Sequence, residues 1–162
     1  MQPSGGIQPP RVVLHQPEIA PNTGAVMRLC AAAGAELHLV GPLGFRLDAP
    51  GVKRAGMDYR ELAEVRRHAD WAAFLAQFPP GEQLTALSTK GATRYSDWRF
   101  QPGEWLLFGS EGSGLPPELL AACGAGVVRI PMRAPARSLN LAQSVAIVLY
   151  EAMRQLGHPG TG

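Results

Sequence analysis

Short apolar runs alternate with stretches of helical periodicity along the chain. Apolar runs of about four to eight residues between turn signals are typical of strands buried in a parallel sheet. Apolar residues that recur every three or four positions are typical of helices with one buried face. The strands predicted in this way are 11–15, 36–40, 84–89, 104–108 and 127–130, and 63–68 is compatible with either a strand or a helix.

Helical patterns fall between most of these runs. One helix is predicted over 22–33, where Gly34 ends it, and another follows Asp70, which can cap it. The second helix would carry Trp71, Phe74, Leu75 and Phe78. Further helices are predicted over 116–123 and 139–156, with a short helical turn over 53–57. Strands that alternate with helices predict an α/β fold, with a mostly parallel sheet flanked by helices.

The composition indicates where the folded domain begins and gives a weak indication of its partner. Residues 1–10 are rich in glycine, proline and glutamine and predict a flexible N-terminal extension before one domain over 11–158. A chain of 162 residues can bury roughly 70% of the surface that its unfolded form exposes. The formal net charge is +2, and the basic residues are arginines except for Lys53 and Lys90. This balance is compatible with RNA as a partner and does not establish it.

Cysteine and histidine positions argue against a metal or disulfide framework. Cys30 and Cys123 lack CxxC spacing and lie in apolar surroundings, which predicts buried thiols in a reducing compartment. The histidines have no ligand-like spacing, so no metal is expected; they are His15, His38, His68 and His158. The N-terminal residues resemble no secretory signal, and no run approaches the ~20 apolar residues of a membrane span. We therefore expect a cytoplasmic protein.

The last predicted helix is apolar on nearly all sides. One stripe consists of Leu141, Val145, Val148, Leu149, Ala152 and Leu156. Much of the remaining surface consists of Ala142, Ala146, Ile147, Tyr150 and Met153. A helix of this kind needs cover on more than one side. The second cover is expected to be another subunit of a two-fold dimer, and the alternative is a central helix buried within its own monomer.

Three loops at strand ends carry polar residues that a core does not need. One contains Ile130, Pro131 and Met132 and leads to the run Ser138-Leu139-Asn140-Leu141, in which Ser138 or Asn140 can cap the last helix. The second is Pro21-Asn22-Thr23-Gly24 with Arg28 behind it, and the third is Phe108-Gly109-Ser110-Glu111-Gly112-Ser113-Gly114-Leu115-Pro116. Together they suggest one composite site.

Each loop also has a plainer interpretation. Core spacing in the first helix turns Arg28 away from the core by about 160–200°, so it faces solvent, a partner or a ligand. It could be an ordinary solvated arginine, and N-capping alone could explain Asn22. The glycine-rich loop fits neither the GxGxxG nor the GxxxxGK[ST] pattern, and Glu111 would repel phosphate. A carboxylate among glycines suits a cationic or hydroxyl-rich ligand better.

Taken together, the motifs resemble the SpoU branch of the SPOUT RNA methyltransferases. The closest resemblance is to the tRNA (cytidine/uridine-34)-2′-O-methyltransferase family and runs from about Val12 to Gly157. The matching blocks are Gln16-Pro17-Glu18-Ile19-Ala20-Pro21-Asn22-Thr23-Gly24, Arg28-Leu29-Cys30, Pro42-Leu43-Gly44-Phe45, Lys53-Arg54-Ala55-Gly56-Met57-Asp58-Tyr59 and Ser138-Leu139-Asn140-Leu141. The resemblance implies a C-terminal deep trefoil knot and a homodimer with each active site at the subunit boundary. It also implies tRNA as the partner, through its anticodon loop.

The resemblance further implies S-adenosyl-L-methionine as the cofactor. By the family pattern the residues that hold it are Leu87, Ser88, Thr89, Gly109, Ile130, Met132, Ser138, Leu139 and Asn140. The implied catalytic residues are Asn22, Arg28, Glu111 and Asn140. The family's counterpart of Arg28 is often assigned as general base, but a guanidinium stays protonated. We therefore expect Arg28 to hold the target phosphate and stabilise alkoxide character, while phosphate, water or Glu111 takes the proton.

Two positions depart from the family pattern. His15 stands where an aromatic or aliphatic residue is common, and Ser113 stands where some members carry an arginine. Anticodon contacts are then expected from other basic residues, namely Arg28, Arg54, Lys90, Arg94, Arg133 and Arg137.

Other functions remain open from the sequence. The chain could methylate another RNA site, in ribosomal RNA or elsewhere in tRNA, or it could be a non-catalytic RNA-binding module of the same fold. The co-occurrence of Asn22, Arg28, Glu111, Ser138 and Asn140 argues against the second. A dinucleotide-binding oxidoreductase is disfavoured because the glycine fingerprint and the acidic ribose partner are missing.

Overall fold

The computed structural model describes residues 6–48, 64–136 and 138–162. The strands are β1 (Arg11–His15), β2 (Leu37–Val40), β3 (Val65–His68), β4 (Leu84–Leu87), β5 (Thr93–Arg94), β6 (Trp105–Phe108) and β7 (Val127–Arg129). The helices are α1 (Ala20–Ala33), α2 (Trp71–Gln77), α3 (Pro117–Cys123) and α4 (Leu141–Gln155), and Tyr95–Asp97 forms a 3₁₀ turn.

The strands form one seven-stranded sheet in the order β3-β2-β1-β6-β4-β7-β5. Every pairing in it is parallel. Phe108 at the end of β6 is level with Leu14 in β1 and Leu87 in β4, and Leu87 is level with Val128 in β7. The predicted α/β fold with a parallel sheet flanked by helices is confirmed. Because of this register, the loops that follow β4, β6 and β7 begin at the same edge of the sheet.

Alternation along the strands divides the core into two layers. Leu14, Leu39 and Leu106 pack with residues of α1 and α4 on one face of the sheet. Val13 and Leu107 point to the other face, where Phe74 of α2 and Leu119 of α3 cover them. Successive side chains of a strand point to opposite faces, so both layers come from the same apolar runs. Truncation of a fully buried leucine such as Leu106 to alanine would cost about 2–5 kcal/mol.

The boundaries of several elements differ from the sequence prediction. Residues 65–68 are a strand, which decides the open choice for 63–68. β5 and the 3₁₀ turn were not predicted, since two residues are too few for a periodic pattern. Helix α1 begins at Ala20, two residues before the predicted start. The predicted turn at 53–57 lies outside the described residues.

The buried stripe of α4 is slightly rotated from the predicted one. Its buried residues are Leu141, Val145, Val148, Leu149, Ala152 and Met153. Leu156, which we assigned to the stripe, is only partly buried, and Met153 takes its place with no exposed surface. The opposite side of α4 remains accessible in the single chain, where Tyr150 is 38% exposed.

The described residues contain two free thiols and neither a candidate metal site nor a candidate membrane span. Cys30 is buried, and burial raises the pKa of its thiol to about 12, while Cys123 is only partly buried with a pKa of about 11. No group of three or more His, Cys, Asp or Glu side chains in the described part of the chain could hold a metal ion. The same residues include no helix of sufficient length and apolar character to cross a bilayer.

The segment between β4 and β5 crosses over β7. Ser88 N–H donates to the Val128 carbonyl at 2.9 Å, and a Cβ on Gly91 would lie 2.5 Å from the Val128 carbonyl carbon. Only glycine therefore fits at position 91 without a shift of the backbone. Arg129 donates to the carbonyls of Gly91 and Ala92 at 3.0 and 2.8 Å, which fastens the crossing.

Three histidines are buried on the α2 side of the sheet. His38 Nδ1 and His68 Nε2 lie 2.9 Å apart, and His38 Nε2 lies 3.0 Å from Glu36 Oε1. His15 packs edge-on against Trp71 with ring centroids 5.8 Å apart. Burial lowers the pKa of all three, opposed by Glu118 at His15 and by Glu36 at His38. The neutral forms are therefore the ones that fit the fold.

We expect the free energy of unfolding to fall as the pH decreases below about 6.5, the pKa of histidine in an unfolded chain. The unfolded chain binds more protons there, so stability is lost until the pH passes the lowered pKa values of the folded protein. Urea unfolding at pH 7.5 and 5.5 measures the loss. His15→Phe, which keeps an aromatic contact with Trp71, should show a smaller loss than the wild type. Equal midpoints at the two pH values would contradict this.

Candidate functional site

A cavity of about 570 Å³ opens at the carboxyl edge of the sheet. This volume lies within the range of about 300–1,000 Å³ that is typical of small-molecule sites. Its walls come from the segments that follow β4, β6 and β7 and from the starts of α1 and α4. The carboxyl end of an open parallel sheet is where such folds bind ligands.

Every residue predicted to hold the cofactor lines this cavity. Leu87, Ser88 and Thr89 come from the end of β4, and Gly109 follows β6. The residues between β7 and α4 are Ile130, Met132, Ser138, Leu139 and Asn140. Asn22 and Glu111 also line it. The structure thus brings together segments that are far apart in sequence, while the roles of the individual residues stay predictions.

Arg28 is placed differently from the other predicted residues. It lies on the exposed side of α1, as the helical spacing predicted. Among the described residues that line the cavity of its own chain, Arg28 is absent, and the cation that does line it is Lys90. Arg28 is therefore exposed on α1 and is not part of the cavity wall of its own chain.

Glu111 fastens the start of α1 to the loop after β6. Its carboxylate accepts hydrogen bonds from Glu18 N–H at 2.8 Å, Ile19 N–H at 3.0 Å and Asn22 Nδ2 at 3.2 Å. The N-cap residue Ile19 has no side-chain oxygen, and the first turn of α1 contains no acidic residue. Glu111 supplies both the acceptor and the negative charge that a helix start favours.

Asn22 does not cap α1. It lies inside the first turn of the helix, so the N-capping interpretation of this residue is wrong. Its side chain instead joins two loops, because Nδ2 donates to Glu111 and Oδ1 accepts from Asn140 Nδ2 at 3.1 Å. Of the two proposed caps for the last helix, Asn140 is the one used, and its Oδ1 accepts from Gln143 N–H at 3.2 Å. One chain of hydrogen bonds therefore links the starts of both long helices.

The loop Gly109–Gly114, here called the glycine loop, folds back on itself. Ser110 and Gly114 form an isolated antiparallel bridge, and the hydroxyl oxygens of Ser110 and Ser113 lie 2.9 Å apart. A Cβ on Gly109 would lie 2.2 Å from the carbonyl carbon of Gly114. The glycine loop is therefore a tight turn whose main chain borders the cavity, and Glu111 within it is partly exposed rather than buried.

The walls of the cavity combine apolar side chains with main-chain polar groups. The apolar residues include Leu87, Phe108, Ile130 and Leu139. Sequence reasoning did not assign Ile19, Leu120 or Ser144 to the site, although all three line the cavity. The only sequence signal for Ile19 and Ser144 is their closeness to Asn22 and Asn140. A cavity whose walls mix apolar side chains with polar groups fits a planar heterocycle with a polar extension. The fold and the cavity define an α/β protein with a small-molecule site at the crossing of its loops.

Comparisons with known proteins identify the family to which the chain belongs. A family model described as the SpoU rRNA Methylase family matches residues 9–150. A tRNA (cytidine(34)-2′-O)-methyltransferase of Burkholderia ambifaria is 51% identical over 151 residues, which cover 92% of this chain and 97% of that protein. The chain belongs to the SpoU methylase family.

Solved structures agree in fold. A structure described as giving structural insights into the 2-OH methylation of C/U34 on tRNA aligns with a TM-score of 0.89 and 47% identity, covering 93% of this chain and 97% of the other. The AdoMet-bound rRNA methyltransferase of Sinorhizobium meliloti aligns with a TM-score of 0.82 and 32% identity, over 93% of this chain and 57% of its own.

We expect Gly109→Ala to abolish cofactor binding. The added methyl would meet the backbone of Gly114 and Leu115 within 2.5 Å, so the glycine loop would have to move away from β6. Calorimetric titration with S-adenosylhomocysteine checks this, with circular dichroism as the control for folding. Wild-type affinity in a folded Gly109→Ala protein would contradict the expected role of the glycine loop in cofactor binding.

Proposed function

We propose that the protein transfers a methyl group from S-adenosylmethionine to the 2′-oxygen of the ribose at position 34 of tRNA, where the base is cytidine or uridine. The observation that carries the proposal is that the cofactor residues implied by the family pattern converge on one cavity. The substrate follows from the relatives, since the tRNA enzyme is 51% identical and the rRNA enzyme 32% identical. Methylation of another RNA site is the alternative.

The residues of the cavity fit the cofactor by their chemistry. Leu87, Ile130 and Leu139 would enclose the adenine ring, and main-chain groups after β4, β6 and β7 can recognise its edge. Ser138 and Asn140 provide side-chain hydrogen-bonding groups at the same wall. When bound, the cofactor supplies a methyl group on a positively charged sulfur, which an oxygen nucleophile can attack in line.

The protein's contribution to the reaction is alignment of the ribose oxygen and a place for its proton. Holding both reactants in line is worth several orders of magnitude in rate. Arg28 would hold the target phosphate with its planar fork and stabilise the oxygen as negative charge develops. Glu111 is a poor candidate for the proton acceptor, because its oxygens already accept three hydrogen bonds that hold α1. The proton then goes to the RNA phosphate or to water.

A homodimer would complete the site. Arg28 does not line the cavity of its own chain in the described residues, and it lies on an exposed side of α1. α1 packs against α4, whose Ile147 and Tyr150 remain accessible in the single chain. Pairing of these helices with a second copy would cover them and bring Arg28 to the partner's cavity. Sedimentation should find a dimer.

The order of the strands supports a knotted C-terminal part. β7 occupies the place between β4 and β5, and the segment that joins those two strands already spans that place. The chain enters β7 later than it forms this segment, so it must pass beside residues 88–92, where Gly91 touches Val128. A later strand inserted beside an earlier crossover segment supports the proposal of a trefoil knot, which would be an exception to the rule that chains do not thread loops.

The predicted RNA contacts differ in their surroundings. Lys90 lines the cavity and Arg133 is exposed, while Arg94 donates to Asp97 at 3.1 Å. Arg54 and Arg137 lie outside the described residues. We propose the cytoplasm as the location of the protein, since its proposed substrate is tRNA.

The function is tested by incubating the protein with methyl-labelled S-adenosylmethionine and total tRNA and mapping the labelled nucleotide. We expect label on the ribose of nucleotide 34. Label in a base, or at a ribose elsewhere, would reject the proposal.

Arg28→Lys should lower turnover at least ~10²-fold, because lysine keeps the charge but lacks the planar fork. Single-turnover kinetics with tRNA at saturating cofactor measures the change. Arg99→Lys, at an exposed position that does not line the cavity, is the matched control and should behave as the wild type. Near wild-type turnover of Arg28→Lys would refute the role.

A further inference from the structure

Glu18 and the glycine loop hold each other by reciprocal hydrogen bonds. The Glu111 carboxylate accepts from the backbone N–H groups of Glu18 at 2.8 Å and Ile19 at 3.0 Å. In the opposite direction, Glu18 Oε1 accepts from Gly112 N–H at 2.8 Å. Each of two adjacent segments therefore supplies a carboxylate to the backbone of the other, although they are more than 90 residues apart.

The backbone around Glu18 is packed closely on two sides. Gly44 N–H donates to the Pro17 carbonyl at 2.9 Å, and a Cβ on Gly44 would lie 2.8 Å from Glu18 Cα. A Cβ on Gly112 would lie 2.9 Å from Glu18 Oε1. Gly44 therefore restricts the position of the Glu18 backbone, and Gly112 restricts the position of the Glu18 carboxylate.

A plain surface role would leave this arrangement unexplained. Glu18 is exposed, and an exposed carboxylate contributes little free energy by keeping one orientation unless its hydrogen-bond donor is fixed in place. Here the donor is a backbone N–H of a loop that also borders the cavity. Gly112 has no side chain that could anchor it, so the Glu18 carboxylate is what holds this N–H.

We propose that Glu18 is a positioning residue that keeps the glycine loop in its cofactor-binding form and fixes it to the start of α1. The inference rests on the proposed function and deepens it. Glu111 holds the start of α1 and Glu18 holds the loop, so the loop and the helix that carries Arg28 move as one unit. Cofactor affinity then depends on a residue whose contact with the site is indirect.

The test compares Glu18→Ala, Glu18→Gln and the matched control Glu118→Ala. Glu118 is an exposed glutamate in the first turn of α3, so its loss removes an equal charge near the same loop without the bond to Gly112. Calorimetric titration of the whole protein with S-adenosylhomocysteine gives the dissociation constant, and urea unfolding gives the stability. One such hydrogen bond corresponds to about a three- to tenfold change in affinity.

We expect Glu18→Ala to weaken cofactor affinity about three- to tenfold, with a stability close to that of Glu118→Ala. Glu18→Gln should restore affinity to within about twofold of wild type, since its amide oxygen can still accept from Gly112 N–H. A purely structural role would lower stability and leave affinity unchanged at a temperature where the protein is folded. Glu118→Ala should bind as the wild type does.

Two results would overturn the proposal: wild-type affinity in Glu18→Ala, or a Glu18→Gln protein as weak as Glu18→Ala, which would assign the effect to charge. The failure of the proposed function is distinguishable. Wild-type protein that binds the cofactor but leaves nucleotide 34 unmethylated would reject the tRNA substrate, while the Glu18 comparison, which measures affinity alone, would still stand.

Discussion

The carboxylate of Glu111 is the interaction on which the site depends. It satisfies two backbone N–H groups at the start of α1 and the side chain of Asn22, which in turn bonds Asn140. α1 has no side-chain cap of its own, so Glu111 supplies the acceptor at its start. The cavity walls on α1, on the glycine loop and on α4 are held at their distances by this one set of contacts.

The parallel sheet makes such a set of contacts possible. Leu87, Phe108 and Val128 are held at one level by the register, so the chain leaves β4, β6 and β7 within about one strand spacing of its neighbours. Gly91 and Gly109 then allow backbone to pass within van der Waals contact of backbone. The sheet brings the loops together, the glycines let them touch, and the carboxylates and amides fix them.

The sequence predicted these features unequally, for physical reasons. The long apolar runs predicted the strands of the core. The three polar loops predicted the composite site, because the carboxyl ends of parallel strands lie at the same edge of the sheet. β5 was missed because two residues cannot display a period. The N-cap interpretation of Asn22 is wrong because a local cap and a long-range bond use the same side chain. Glu111 lines the cavity and also bonds to the start of α1, more than 90 residues away along the chain, and no local pattern encodes that second contact.

The distribution of charge follows from the same contacts. Glu111 on the cavity wall and Glu18 both direct their carboxylates at backbone N–H groups, and the cation on the wall among the described residues is Lys90. Side chains used to hold loops in place are poorly suited to proton transfer, whose acceptor needs a free lone pair directed at the reacting group. In-line methyl transfer to a hydroxyl chiefly requires that the acceptor oxygen, the methyl group and the sulfur are aligned. Loops that are rigidly joined can hold the reactants in that alignment. Under the proposed function, an arginine that remains charged is most useful as a clamp on phosphate, and the proposed homodimer would bring Arg28 to the cavity of the other subunit.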